Sequence, residues 1–68
     1  MTTFQTLDRT LALRCKLAHD NGETITVNFE TPEGWNRATG VVRLVRRLKD
    51  HPLKPRWEIT IVEPETAG

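Results

Sequence analysis

The chain has 68 residues, with one cysteine, ten Lys or Arg and nine Asp or Glu, for a formal charge of +1. A chain of this length makes one domain that buries only about 60% of its unfolded surface, and a lone Cys15 excludes an internal disulfide framework to help it, so self-association is one available remedy. No stretch approaches the roughly 18 apolar residues of a membrane span, and Met1-Thr2-Thr3-Phe4 lacks the basic start and apolar run of a signal peptide; the expected setting is the cytoplasm.

Residues 1–10 are polar apart from Met1, Phe4 and Leu7. Phe4, Leu7 and Leu11 fall at near-helical spacing with Thr2 or Thr3 available as an N-cap. A short N-terminal helix or turn closing one end of the core is expected, with a frayed tail as the alternative.

Leu11, Leu13, Cys15 and Leu17 then alternate with Ala12, Arg14, Lys16 and Ala18, the period-2 pattern of a half-buried strand. Asp20-Asn21-Gly22 follows, and Ile25, Val27 and Phe29 alternate with Thr24, Thr26, Asn28 and Glu30. Asn-Gly between two such runs predicts a hairpin over 11–30. A three-residue loop with Gly22 left-handed sets Leu17 opposite Ile25, Cys15 opposite Val27 and Leu13 opposite Phe29, which keeps the apolar residues on one face.

Thr31-Pro32-Glu33-Gly34 has the residues of a type I turn, Trp35 is expected as a lid on the core, and Gly40 as a bend or bulge. The stretch 41–48 fits two templates. Val41, Leu44, Val45 and Leu48 match a helix, whereas Val42, Leu44 and Leu48 match a strand with Arg46 as the violation. Leading valines and a glycine at 40 favour the strand. So does the strongly alternating closing strand Trp57–Val62, which needs a neighbour. Pro52 and Pro55 bar a regular element from the loop at 49–56, and 64–68 reads as a tail.

The expected fold is all-β: a single domain over 1–68 with its core at about 4–63, four to five strands in meander order. Such a sheet is half-closed into a small barrel of SH3-like or OB-like outline. The alternative is β-β-α-β with 41–48 helical. The outline carries no function with it.

Little of the chemistry repertoire is present. Cys15, His19 and His51 are the only soft ligands, with no Cys-x-x-Cys or His-x-x-x-His spacing, and a strand would hold Cys15 and His19 roughly 13 Å apart. Serine is absent, no glycine-rich phosphate loop occurs, and a mid-strand Cys15 facing the core makes a poor nucleophile. The expectation is a non-enzymatic protein with no metal and no cofactor.

The positive signal is charge. Arg43, Arg46, Arg47, Lys49, Lys54 and Arg56 face one acidic residue, Asp50, within 43–56. On a strand, Arg43 and Arg47 share the outer face. Such a stripe suits nucleic-acid phosphates, with Trp57 or Trp35 (beside Arg37) available to pack on a base. An acidic protein surface is the alternative partner, met through an edge strand and the same arginines. The plain structural account is a charged face that keeps an edge strand from aggregating, with Trp57 in the core.

Overall fold

The segment expected as the first strand of a hairpin is a helix. In the computed structural model, which describes residues 1–49 and 56–64, the elements are β1 (Thr2–Thr6), α1 (Arg9–Asn21), β2 (Thr24–Thr31), β3 (Gly34–Leu48) and β4 (Arg56–Val62). Asp8, itself extended, starts α1: its Oδ1 accepts from the backbone N–H of Thr10 at 2.9 Å and of Leu11 at 3.2 Å. Gly22 ends it at φ 67°, with its own N–H donating to the His19 carbonyl and that of Glu23 to the Ala18 carbonyl. Hairpin loops and helix C-termini both use a left-handed glycine, so Asn21-Gly22 serves either.

The helical period explains the burial. Leu11, Ala12, Cys15 and Ala18 form the stripe that faces the sheet, and three of its four members are small. Leu13 and Leu17, expected to point into the core, are 50% and 62% exposed.

The expected N-terminal helix is likewise a strand. β1 pairs antiparallel with β4, setting Phe4 opposite Ile59, and the Thr3 and Thr60 hydroxyls meet at 3.0 Å. Threonines on either side of Phe4 suit a pleated edge better than a helical turn. Thr2 also hydrogen-bonds Glu63 just past β4.

The sheet order is β1-β4-β3-β2, antiparallel throughout. The meander is therefore β2-β3-β4, and the fourth strand is 2–6 rather than 11–18. The sheet curls into a half-barrel, and α1 covers one face. Between them lie Phe4, Val27, Phe29, Ala38, Val42, Ile59 and Ile61 with the helix's small residues.

Residues 41–48 are strand, continuous with β3. β2 and β3 join through Pro32-Glu33, with Thr31 opposite Gly34 and the Thr31 hydroxyl donating to the Gly34 carbonyl at 2.9 Å. The turn lies where Pro32 and Gly34 place it. Gly40 makes neither bend nor bulge: it pairs regularly with Ile25, and a Cβ there would stand 2.2 Å from the Val62 carbonyl oxygen. Close backbone approach is what requires glycine there. Most of the loop expected at 49–56, and 65–68 of the tail, lie outside the described residues.

Candidate functional site

A bulge in β3 decides which arginines go where. Up to Val42 the even-numbered residues Ala38, Gly40 and Val42 face the helix. Val42 pairs with Ile61 and Leu44 with Thr60, so Arg43 is the extra residue. The alternation reverses after it. Val45 now stands opposite Ile59 and Arg47 opposite Trp57, on the helix side, while Leu44, Arg46 and Leu48 turn to the far face. This resolves the Arg46 violation, since the apolar residues on either side of the bulge follow opposite phases.

Beside the helix, the reversal opens a cleft of about 390 Å³ walled by Arg9, Ala12, Leu13 and Lys16 of α1 and by Val45, Arg47 and Trp57 of the sheet. It continues toward the helix C-terminus, past His19, Asp20 and Arg43, for a further region of about 370 Å³ that shares Lys16, Val45, Arg47 and Trp57. Arg9, Leu13, Lys16 and Asp20 fall at i, i+4, i+7 and i+11, one flank of a helix. Trp57 is half-buried, with its inner side packed against the core cluster.

The cleft is electropositive. Arg9, Lys16, Arg43 and Arg47 line it against a single carboxylate, Asp20, which lies 3.4 Å from His19 Nδ1. The Arg–carboxylate ion pair among the described residues, Arg46 to Glu58 at 3.1 Å, is on the opposite face. The four cleft cations thus have no carboxylate partner among the described residues.

The expected site residues divide into separate groups. Arg43 and Arg47 do come together, but along the helix-side cleft rather than on the outer face of the sheet. Arg46 is held by Glu58, and Arg56 Nη1 lies 3.4 Å from Gln5 Oε1. Lys49 is exposed just past the end of β3, and Lys54 lies outside the described residues. Trp35 is no lid: it is 71% exposed, because its odd-numbered place in β3 before the bulge points away from the helix. It shares a shallow patch with Asn28, Asn36 and Arg37, whose Nε donates to Asn28 Oδ1 at 3.3 Å. Twelve residues of one strand, roughly 40 Å, separate Trp35 from Arg47, so the two tryptophans serve no common site.

Arg9 and Lys16 escape the strand reading of 11–18, which also conceals the cleft's second wall. The signal for them is Asp8 two residues before Thr10, together with the helical spacing of Leu11, Ala12, Cys15 and Ala18.

The helix also alters the relation of Cys15 to His19. At i and i+4 they are one turn apart, with Cβ atoms roughly 6 Å from each other rather than 13 Å. Cys15 is completely buried, and burial pushes its thiol up, with Arg14 opposing part of the effect. Among the described residues no three His, Cys, Asp or Glu side chains converge on a point.

Comparison with protein-family models, curated proteins and solved structures finds no match for the chain.

Proposed function

We propose that this chain is a small, non-enzymatic binding module that holds nucleic-acid phosphates in the cleft between α1 and β3. The observation that carries this is the convergence, around a half-buried tryptophan, of four cations from two elements that have no carboxylate partner among the described residues. Guanidinium groups match phosphate oxygens in geometry and charge. Arg9 strengthens the reading because the first turn of a helix, where it sits, disfavours a cation. A residue that breaks a local rule without a structural partner is more readily explained by a ligand.

A protein partner is the second reading, and a specific feature favours it. Pairing between β2 and β3 ends at Thr24–Val41, so residues 42–48 are bonded to β4 on one side and, among the described residues, to no strand on the other. Such an edge, lined by arginines, suits an acidic extended segment.

An amide titration of labelled protein with short mixed-sequence oligonucleotides separates the two. Nucleic-acid binding predicts shifts at Arg9–Lys16, Arg43–Arg47 and Trp57. For four phosphate contacts with a single strand, affinity falls by about 50-fold between about 50 and 200 mM salt. The double variant Arg43→Glu, Arg47→Glu keeps a folded spectrum and loses binding. Undiminished affinity in that folded variant overturns the proposal.

A further inference from the structure

We infer that the cleft takes a single strand and seats one unpaired base against Trp57; this rests on the phosphate-binding role proposed above. The indole lines the sheet side of the cleft, across from the helix wall, half-buried and with its inner side committed to the core. A base paired in a duplex has both faces covered by its neighbours and cannot reach a recessed ring. An unpaired base exposes a face and enters edge-on between the walls.

The surroundings of Trp57 suit both parts of such a nucleotide. Val45 and Leu13 give apolar contact beside the ring, and Arg47, directly opposite Trp57 on the neighbouring strand, sits where the attached phosphate would lie. The space of about 390 Å³ is of the size that holds a single small ligand and excludes a double helix. Arg9 and Lys16 lie roughly 10 Å apart along the helix, with Arg43 and Arg47 on the facing strand, so the cations are strung out along a path rather than gathered on one anion. That spacing favours a strand over a free mononucleotide.

The experiment uses the Trp35→Phe chain, in which Trp57 is the only tryptophan; Trp35 is 71% exposed and remote, so its replacement leaves the cleft intact. Four probes are titrated at low salt: a mixed-sequence single strand, the same strand made abasic, its duplex, and a mononucleotide. The inference predicts that the single strand binds most tightly and quenches Trp57 emission on saturation. The abasic strand binds without quenching and about 5- to 150-fold more weakly. Trp57→Leu, which keeps apolar packing, brings the two strands to equal affinity.

Equal affinity for the intact and abasic strands, a tighter duplex, or a mononucleotide that matches the strand each overturn the inference while phosphate binding stands. Failure of all four probes to bind overturns both. The fluorescence arm needs no substitution at Trp57, so it decides the matter even if Trp57→Leu unfolds.

Discussion

Phe4 and Phe29 stack with ring centroids 4.4 Å apart and planes 7° from parallel, although they belong to the two edge strands of the sheet, β1 and β2. Two strands never adjacent in the ladder can touch only if the sheet curls, so this contact fastens the half-barrel. Both rings are 7% exposed. Phe29→Ala should cost about 3–5 kcal/mol, most of the stability of a domain this small. The gentler pair Phe4→Leu and Phe29→Leu, measured by urea unfolding as singles and double, should show a coupling of about 0.5–1.5 kcal/mol. Additive single effects would mean that the rings do not hold the edges together.

Gly40 offers a sharper test of the same architecture. Its regular pairing with Ile25 allows an alanine as far as backbone conformation goes, and only the Val62 carbonyl, 2.2 Å from the would-be Cβ, forbids one. Gly40→Ala should therefore force β3 away from the end of β4 and destabilise by about 1–3 kcal/mol or more. In a domain of this size that lowers Tm by about 4–8 °C per kcal/mol. At Gly22, where nothing approaches within 4 Å, alanine meets only the left-handed backbone cost, about 1 kcal/mol. A Gly40→Ala chain with an undiminished Tm would place the strand ends differently.

These features were legible in the sequence to unequal degrees. β2, the turn at Pro32 and β4 follow from alternation and turn chemistry, because these strands are half-buried on a regular pleat; the strand at 41–48 follows from its leading valines and from the neighbour that β4 needs, since the bulge at Arg43 breaks its alternation. The helix did not, because Leu13 and Leu17 are exposed apolar residues. They complete a false period of two with Cys15, while the true stripe of Leu11, Ala12, Cys15 and Ala18 is made mostly of small side chains that carry little hydrophobic signal. β1 was hidden by its shortness and by a partner 51 to 59 residues away: Thr6 pairs with Trp57 and Thr2 with Ile61. Of the residues lining the candidate cleft, Arg43 and Arg47 stood out by charge density alone. Their face was not, since one unpaired residue at the bulge reverses every side chain after it.

Cys15 gives stability a dependence on alkaline pH. The ordinary value for this thiol is 9.0, and burial raises it in the folded protein, so the native state holds its proton when the unfolded chain has released one. By linkage, stability then falls as pH rises: the contribution is complete below about pH 9 and is lost as pH climbs through the folded value. Urea midpoints for the native chain should drop from pH 8 to pH 10.5 more steeply than those of Cys15→Ala. That variant will be less stable at every pH, because a fully buried side chain is truncated. The comparison is of slopes, and equal slopes would mean that the thiol reaches water in the native state.

The bulge yields a contrast between neighbours that no smooth strand would give. Arg46 and Arg47 are adjacent in sequence and equal in charge, yet Arg47 lines the cleft opposite Trp57 while Arg46 is paired with Glu58 on the other face. Long-range attraction for a polyanion is nearly the same from either position, so a diffuse electrostatic contact would lose equally from Arg46→Gln and Arg47→Gln. A contact made in the cleft loses mainly from the second. At low salt, Arg47→Gln should weaken single-strand binding by roughly tenfold, the scale of one charge-assisted hydrogen bond, and reduce the salt slope by about 0.7, the share of one phosphate contact on a single strand. Arg46→Gln should leave both nearly unchanged. It should also have little effect on Tm, since exposed ion pairs contribute about 0–1 kcal/mol. Equal losses from the two variants would move the contact out of the cleft and onto the general positive charge of residues 43–56. A larger loss from Arg46→Gln would move it to the opposite face of the sheet, where Arg56 and Gln5 lie.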